Sequence, residues 1–269
     1  GNFNLGPWVG DYQGVFRNCK TIIVEVNKNI PVCHGFNNYI NIEDVTYITE
    51  GTNRPLTQIP GKEGGEVEKT IANLIVPYIK AGSPMQLGIG SIPNTIGSLL
   101  CDSDVKDLSC WSEMLVDAYV KLFEAGKISG KNSVLKGKMV FTFAGGTDIL
   151  YDFIDNNQML CCAPVDFVND IARIASMDNF VSVNGCLQVD LFGQIAAESI
   201  GGKQFTGTGG QVDFVMGAYK SRGGQSFIAV PSTRTLKDGT VISNIMSVLP
   251  PATIVTTPRS ATHYVVTEY

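Results

Sequence analysis

Two glycine-rich segments carry residue types suited to chemistry on an anion. One reads Q-L-G-I-G-S over residues 86–91, and the other reads T-G-T-G-G-Q-V-D-F over residues 206–214. Glycine lets the main chain approach a ligand closely, and backbone N–H groups in such turns can converge on an anion or a developing oxyanion. Both segments therefore favour a binding or catalytic turn. The alternatives are a tight strand–helix turn at 86–91 and a plain hairpin or bulge at 206–214.

Neither segment completes a nucleotide-binding motif. The first lacks the third glycine of a dinucleotide fingerprint, and the second lacks the G-K-[ST] of a phosphate-binding loop. The chain has two histidines, His34 and His263, and no G-x-S-x-G segment, which argues against a Ser–His–Asp hydrolase. Its 7 cysteines include no C-x-x-C pair, so no metal site is expected.

The carboxylates carry less local information than the glycines. Glu113 stands in C-W-S-E-M, four residues before Asp117. This spacing is compatible with a solvated helix face, and nothing local distinguishes that from a nucleophile. Glu124, Glu198 and Glu268 are each expected to be exposed surface residues.

A repeated order of strand, glycine turn and helix must position these residues. Residues 85–93 are typical of a strand that ends in glycine before a helix, and residues 139–154 repeat that order. Alternating strands and helices predict an α/β fold, a mostly parallel sheet with helices on both faces, in which ligands usually bind at the carboxyl ends of the strands. Further strands are predicted at 20–26, 181–190, 226–231 and 253–257.

Three shorter segments also have a predicted structure. Residues 66–79 have helical apolar spacing. The D-N-N run at 155–157 is typical of a turn or a helix C-cap, and P-V-D-F-V-N-D at 164–170 favours a loop with ordered side-chain hydrogen bonds. The apolar face of the first segment is predicted to comprise Val67, Ile71, Leu74, Ile75 and Tyr78.

Composition excludes several classes of function. The net charge of −5 argues against nucleic-acid binding, which needs clustered Lys and Arg. The apolar runs are interrupted and too short to span a bilayer, and no signal peptide is visible, so no membrane partner is expected. The cysteines are expected to be free thiols, mostly buried, in a reducing cytoplasm.

The segment 51–65 divides the chain. It holds two prolines and four glycines with little apolar content, which is typical of a linker. We therefore expect a partial N-terminal piece with the linker at 1–60 and an α/β domain at 61–269. The chain begins without Met and stops directly after a strand-like run, so it is interpreted as part of a longer polypeptide.

Taken together, the ordered motifs resemble the acetyl-CoA hydrolase/transferase family, in particular its 4-hydroxybutyrate and butyryl-CoA:acetate CoA-transferases. The resemblance runs over nearly the whole chain, and many ordered motifs make it specific where each alone is weak. The segments that carry it are M-Q-L-G-I-G-S-I-P-N (85–94), W-S-E-M-L-V-D (111–117), F-E-A-G-K-I-S-G (123–130), L-Y-D-F-I-D-N-N (150–157), P-V-D-F-V-N-D (164–170), T-G-T-G-G-Q-V-D-F (206–214), A-V-P-S-T (229–233), I-V-T-T-P-R (254–259) and H-Y-V-V-T-E-Y (263–269).

The resemblance implies two related α/β domains of the CoA-transferase type. Residues 1–60 would be the end of the N-terminal domain and the linker, and residues 61–269 the C-terminal catalytic domain without its C-terminal tail. It also implies coenzyme A, acyl-CoA esters and short-chain carboxylates as partners, no cofactor beyond CoA as substrate, and a homo-oligomer.

The resemblance also implies a role for Glu113, which takes the position of the family's nucleophile. A ping-pong reaction would pass through a mixed anhydride and a glutamyl-CoA thioester. Oxyanion stabilisation would come from Gly88 and Gly90, and from Gly209 and Gly210. Substrate and CoA binding would involve Gln86, Asn184, Gly207, Gly209, Gly210 and Gln211.

Two features leave alternatives open. Many family members carry His two residues before the nucleophile, where this chain has Trp111, so the preference for the acid can differ. Asn184 could hydrogen-bond the substrate carboxylate or the surroundings of Glu113. An acyl-CoA hydrolase, in which water intercepts the intermediate, and a non-catalytic CoA-binding domain remain the alternative functions to a CoA-transferase.

Overall fold

A computed structural model describes residues 1–62 and 64–269. Short helices alternate with short strands along the chain, and single 3₁₀ turns lie at Ile42–Asp44 and Val76–Tyr78. The α-helices of the described residues are α1 (Tyr12–Asn18), α2 (Glu66–Ile75), α3 (Ser91–Asp102), α4 (Asp117–Glu124), α5 (Asp148–Ile154), α6 (Val165–Val168), α7 (Ile171–Ala175) and α8 (Gln211–Lys220).

The strands are short and belong to several sheets. In chain order they are β1 (Asn2–Asn4), β2 (Ile23–Val26), β3 (Tyr39–Asn41), β4 (Tyr47–Glu50), β5 (Pro84–Leu87), β6 (Ser109–Cys110), β7 (Met114–Leu115), β8 (Met139–Phe141), β9 (Phe143–Ala144), β10 (Leu160–Cys162), β11 (Val181–Gly185), β12 (Gln188–Asp190), β13 (Ile195–Ala196), β14 (Ser199–Ile200), β15 (Lys203–Gln204), β16 (Gln225–Ala229), β17 (Thr233–Thr235), β18 (Val241–Ser243), β19 (Ile245–Met246) and β20 (Tyr264–Val266).

A five-stranded parallel sheet forms the centre, in the order β20-β16-β11-β5-β6. Its register places Val183 beside both Leu87 and Phe227. These strands form because β-branched and other apolar residues are buried on both faces, as is usual when helices cover a parallel sheet. Helices α2 and α3 pack on one face and α8 on the other, as predicted for helices on both faces.

The sheet continues past β6 into a second set of strands. Trp111 forms a parallel bridge with Val140, next to the parallel pair β8–β10, and β7 pairs in parallel with β9. The chain from β6 to β7 therefore runs along the edge of the β8–β9 segment. Ser112 and Glu113 lie between these two short strands, so their backbone is fixed by neighbours on both sides.

The N-terminal segment hydrogen-bonds to this second set of strands. The N–H groups of Val9 and Gly10 both donate to Thr142 O, at 2.9 and 3.2 Å, and Ala144 N donates to Pro7 O at 2.8 Å. Residues 51–65 carry no helix or strand where they are described. They nevertheless attach to the α/β part, because Ile59 N donates to Gly146 O at 2.8 Å.

The predicted elements are mostly confirmed, including the strands near 20–26, 85–93 and 226–231 and the strand–turn–helix unit at 139–154. Asp155 is the C-cap of α5, as the D-N-N run indicates. All 7 cysteines are free thiols, as predicted.

Three sequence predictions are wrong. Residues 181–190 form two strands in different sheets, β11 and β12, because the chain breaks after Gly185. Residues 253–257 are not a strand, since only Thr256 and Thr257 are buried there. Residues 164–170 contain the one-turn helix α6 and not a simple loop, although the ordered side-chain bonds are present.

The predicted apolar face of the 66–79 helix is only partly correct. Ile71 and Ile75 are fully buried, but Val67, Leu74 and Tyr78 are 38 %, 47 % and 52 % exposed. Ala72 takes a place in the core instead. The helix buries a narrow face because α3 is its main partner, and the α-helix itself ends at Ile75.

Candidate active site

Glu113 lies at the carboxyl edge of the central sheet, after β6 and directly before β7. It is not on a helix, so a solvated helix face is excluded for this residue. Its carbonyl oxygen accepts hydrogen bonds from Thr142 N at 3.0 Å and Phe143 N at 3.2 Å, which fix the backbone on both sides of the side chain. The side chain is half-buried and faces the start of α8.

The second glycine segment meets Glu113 from the opposite side of the site. Gly210 N donates to Glu113 Oε2 at 2.7 Å. Gly210 is the N-cap of α8, so the segment is a loop that enters a ten-residue helix and not a hairpin or bulge. The helix N-terminus favours negative charge, and it therefore stabilises a carboxylate or an oxyanion at this point.

Gly209 and Gly210 must be glycine for two different reasons. Gly209 has φ of +59°, a left-handed conformation that side chains disfavour. At Gly210 a Cβ atom would overlap Glu113 Oε2 and the amide nitrogen of Asn169. The close approach of main chain to carboxylate is therefore possible only without a side chain. Gly207, by contrast, is exposed with open space around it.

Asn169 lies next to Glu113 and Gly210, and it is not among the site residues predicted from the sequence. Its amide lies beside the Glu113 carboxylate, since a Cβ atom on Gly210 would overlap both Asn169 Nδ2 and Glu113 Oε2, and its Nδ2 donates to Asp213 Oδ2 at 3.4 Å. Its Oδ1 is buried without a hydrogen-bond partner among the described residues. The available signal was its place in P-V-D-F-V-N-D at 164–170, and the local pattern there does not distinguish a site from a capped turn.

The environment of Glu113 changes the free energy of its charged form. Burial raises the pKa of the Glu113 carboxyl, and the nearby charge of Asp213 raises it further. The N–H of Gly210 and the amide of Asn169 oppose this shift because they hydrogen-bond the ionised form. A poorly solvated carboxylate is a better nucleophile than a solvated one. Among the described residues, Gly210 and Asn169 are the groups that stabilise the charge of Glu113.

The first glycine segment follows β5, the strand next to β6. Glu113 follows β6 and Gly88 follows β5, and these two strands are adjacent and parallel. Gly88 N donates to Val183 O at 3.0 Å, so this N–H closes the turn of the sheet. Gly90 is the N-cap of the twelve-residue α3 and has φ of +127°. The predicted strand–glycine–helix turn is present.

Three of the predicted binding residues hold the framework together. Gln86 and Asn184 exchange two amide hydrogen bonds, at 3.1 and 3.2 Å, and both are buried. Gln211 donates from Nε2 to Gly185 O at 2.9 Å and accepts from Thr257 Oγ1 at 3.1 Å. The amide pair lies beside Gly88, since a Cβ there would be 3.8 Å from Asn184 Oδ1.

Trp111 is fully buried beneath the site. Its Nε1 donates to Val168 O at 2.8 Å, and its ring packs on Phe167 with the centroids 5.7 Å apart. Trp111 therefore supports the segment that ends at Asn169. The indole N–H already donates to the main chain. Trp111 therefore differs from a histidine that titrates and faces the substrate.

The remaining glutamates differ from one another. Glu124 is exposed, as predicted. Glu268 is half-buried, and its carboxylate accepts from Ser232 N at 2.8 Å and Ser232 Oγ at 2.5 Å. The prediction is wrong for Glu198, which is only 4 % exposed. Hydrogen bonds from Gln204, Thr208 and Thr256 to its carboxylate compensate this burial.

A cavity of about 350 Å³ opens beside the first glycine turn. Ile59 and Pro60 from the linker segment face Ile89, Gly90 and Val116 across it. Its lining is mainly apolar, which suits a ligand with an alkyl part. Among the described residues no group of three or more His, Cys, Asp or Glu side chains is arranged to hold a metal ion. No helix in residues 1–62 or 64–269 is long and apolar enough to cross a membrane.

A parallel sheet with helices on both faces, with a glutamate at its carboxyl edge facing a glycine-capped helix, places this chain among CoA-transferase-like α/β proteins. The chain superposes over its full length on RipA from Yersinia pestis, with a TM-score of 0.90 and 37 % identity, covering 60 % of that chain. It also matches the 4-hydroxybutyrate CoA-transferase from Porphyromonas gingivalis, with a TM-score of 0.83 and 35 % identity, covering 62 % of that chain.

Sequence comparison identifies similar proteins. Residues 146–269 match the acetyl-CoA hydrolase/transferase C-terminal domain. The whole chain is 46 % identical to the butyryl-CoA:acetate CoA-transferase of Anaerostipes caccae, of which it covers 61 %. Over 94 % of the chain, it is 44 % identical to the 4-hydroxybutyrate coenzyme A transferase of Clostridium kluyveri, of which it covers 58 %. The chain is similar to members of the acetyl-CoA hydrolase/transferase family, which confirms the predicted resemblance and the predicted fold class. It spans about three fifths of the length of these relatives.

Proposed function

We propose that the protein containing this chain is a CoA-transferase that moves CoA between a short-chain acyl-CoA and a carboxylic acid such as acetate. The acyl group would be butyryl, 4-hydroxybutyryl or acetyl. The reaction would be ping-pong, with Glu113 as the nucleophile and a glutamyl-CoA thioester as the covalent intermediate. Partners would be CoA, acyl-CoA esters and short-chain carboxylates, with no cofactor beyond CoA as substrate.

The hydrogen bond from Gly210 N to Glu113 Oε2 carries this proposal. It brings a carboxylate of raised pKa against the N-terminus of α8. The same N–H and the Asn169 amide lie where negative charge would develop when a carbonyl at Glu113 becomes tetrahedral. Donors in this position stabilise the transition state more than the ground state, which is what accelerates a reaction.

The proposed reaction passes through two covalent intermediates on Glu113. A Glu113 oxygen attacks the thioester carbonyl of the acyl-CoA, the C–S bond breaks, and CoA leaves as a thiolate while an acyl-glutamyl anhydride forms. The thiolate then attacks the Glu113 carbonyl carbon and expels the acyl group as a carboxylate, which leaves glutamyl-CoA. A second carboxylate takes the CoA through the same two steps in reverse, and Glu113 is regenerated.

The relatives support transfer over hydrolysis. The proteins named as CoA-transferases include matches at 41–46 % identity over 94–100 % of the chain, whereas those named acetyl-CoA hydrolases match at 24 % over 91 %. A transferase must also keep water from the thioester intermediate. A half-buried glutamate between two glycine turns fits this requirement better than an exposed one.

Trapping with borohydride tests the proposal. The full-length protein is incubated with butyryl-CoA without an acceptor acid, treated with borohydride, and digested for mass spectrometry. Borohydride reduces a glutamyl thioester to an alcohol and leaves a free carboxylate unchanged. We expect reduction at Glu113 alone, none in Glu113→Gln, and unchanged labelling in Glu124→Gln, which alters an exposed glutamate.

Release of free CoA, followed with a thiol reagent, separates the two activities. A hydrolase should release free CoA without added acetate. A transferase should release little free CoA and should need acetate, which takes the CoA as acetyl-CoA, to regenerate Glu113. An unmodified Glu113 in protein that still consumes butyryl-CoA would contradict the covalent mechanism. A reduced Glu124 would move the nucleophile to that residue.

A further inference from the structure

Glu198 is a buried carboxylate that the proposed reaction does not use. It is 4 % exposed, and no ion pair to Lys or Arg is present for it within the described chain. Its Oε2 accepts from Thr208 Oγ1 at 2.9 Å and from Gln204 Nε2 at 3.2 Å, and its Oε1 accepts from Thr256 Oγ1 at 3.2 Å. A buried charge is costly unless its oxygens are hydrogen-bonded, and here neutral donors do this.

Two of these donors belong to the glycine loop that reaches Glu113. Residues 203–209 are all exposed, and the loop contains three glycines before α8 begins. The Glu198 main chain also takes part, because Phe205 N and Thr206 N donate to its carbonyl at 2.7 and 3.3 Å. An exposed glycine loop has many conformations, so its preferred conformation must be selected by contacts such as these.

A pair of adjacent threonines anchors the loop at both ends. Thr256 Oγ1 accepts from Ala197 N at 3.0 Å and donates to Glu198, which holds the entry of the loop. Thr257 Oγ1 donates to Gln211, the first residue of α8, and this contact holds the exit of the loop. Both threonines are buried, and Thr257 also bridges Ile195. Glu198 is the one carboxylate in this set, and it connects the anchor to Thr208.

We propose that Glu198 is a positioning residue for catalysis, which fixes the loop 204–210 so that the Gly210 N–H points at Glu113. This inference rests on the proposed function. Thr208 lies two residues before Gly210, so displacement of Thr208 moves the peptide that donates to the nucleophile. Glu198 acts through the loop and touches neither the nucleophile nor the reacting atoms.

The expected effect is on the chemical step. Without Glu198 the loop samples other conformations, and the N–H that stabilises the oxyanion is no longer preorganised. We expect Glu198→Gln to lower the rate of glutamyl-CoA formation about 10-fold or more, a part of what loss of one oxyanion donor costs. The isosteric Thr208→Val removes the contact from the other side and should have a similar effect.

The test measures single-turnover formation of the borohydride-trapped Glu113 intermediate in the full-length protein. Wild type, Glu198→Gln, Thr208→Val and the double variant are compared at saturating butyryl-CoA, with melting temperatures recorded for each. We expect both single variants to be slow and the double variant to be little slower than either, because the two residues act through one contact. The KM for butyryl-CoA should change less than kcat.

Asp190 supplies a matched control. It is 3 % exposed, and its carboxylate accepts from Phe192 N, Gln194 N and Gln194 Nε2 at 2.7–3.0 Å, so it holds a turn away from the glycine loop. Asp190→Asn should lower the melting temperature to a similar extent but label Glu113 at the wild-type rate.

Two results would overturn the inference alone. One is a labelled wild type with Glu198→Gln and Thr208→Val labelled equally fast. The other is an Asp190→Asn variant slowed as much as they are, since the slowing would then reflect general loss of structure. A wild type that never labels would overturn the proposed function and this inference with it, so the two failures are distinguishable.

Discussion

The two glycine turns of the site are held in different ways. The turn at Gly88–Gly90 joins a central strand to α3, and its Gly88 N–H is bonded to the main chain of the adjacent strand at Val183. The loop at 204–210 joins the exposed strand β15 to α8, and side chains such as Glu198 hold it. The first is a consequence of sheet formation. The second depends on residues that can change without loss of the sheet.

This difference implies different sensitivities. A turn built from main-chain bonds should resist substitution of nearby side chains and respond mainly to a change of its own backbone. A loop held by side chains should be the part of the site where sequence changes alter activity with little loss of stability. Substitutions in and around the two turns test this contrast.

Gly210→Ala should be the most damaging change to either turn. The new Cβ would overlap Glu113 Oε2 and the Asn169 amide, so α8 and the nucleophile must separate. We expect kcat to fall by about 10²–10³, the usual cost of losing one oxyanion donor. Steady-state kinetics and a thermal melt measure the two effects. Near wild-type kcat with an intact fold would show that this close approach is dispensable.

Asn169→Ala should lower activity less and shift its pH dependence. The Asn169 amide holds down the raised pKa of Glu113 by stabilising its ionised form, so its removal raises that pKa further. The nucleophile must be ionised, so the acid limb of kcat/KM should move to higher pH, with about a 10-fold loss at neutral pH. A full pH–rate profile checks this. The Asn184 amide bonds to Gln86 and not to Glu113, so Asn184→Ala should leave the acid limb of kcat/KM at its wild-type pH.

Gly88→Ala should have a modest effect. Its Cβ would meet Val183 O at 3.3 Å, which requires a shift of a few tenths of an ångström, and Gly88 has no left-handed backbone. We expect a loss of about 1 kcal/mol in the free energy of unfolding from this crowding and less than a 10-fold loss of kcat. Denaturant unfolding and kinetics measure both. A loss of kcat as great as that in Gly210→Ala would mean that the two turns do not differ.

Glu113→Gln should be the least destabilising change, although it removes the nucleophile. The folded-state pKa of Glu113 is raised, so the folded protein binds its proton more readily than the unfolded chain does. Ionisation of Glu113 therefore lowers the free energy of unfolding as the pH rises from its unfolded-state pKa to its folded-state pKa, and the full loss remains at higher pH. The melting temperature of Glu113→Gln at neutral pH should equal or exceed that of wild type, and the difference should diminish in acid. A clearly lower melting temperature would contradict this.

Much of the architecture could be predicted from residue pattern. The strand–glycine–helix order at 85–93 and 139–154 requires only local periodicity and turn chemistry, and both units are present. The errors occurred where local pattern is ambiguous. The strand at 181–190 breaks at a glycine, and the apolar threonine-rich run at 253–257 serves as an anchor for side chains and not as a strand.

Fewer of the residues that form the site could be predicted from the sequence. Asn169 and Glu198 lie in segments whose local sequence is compatible with a capped turn or an exposed surface. What distinguishes them is contact with residues far along the chain. Gly210 and Glu113 are 97 positions apart, and Thr256 and Glu198 are 58 apart. Spacing along one sequence contains no information about such pairs.

The sequence by itself determined the class of fold, the positions of both glycine segments and, through its ordered motifs, the resemblance to the acetyl-CoA hydrolase/transferase family. These follow from local conformational preference and the alternation of apolar residues, which act over a few residues. Only the tertiary structure decided that Glu113 faces the start of α8, that Gln86 and Asn184 pair with each other, and that Glu198 is buried under the glycine loop. The physical reason is that desolvation and hydrogen-bond geometry depend on which distant segments the packed sheet brings together.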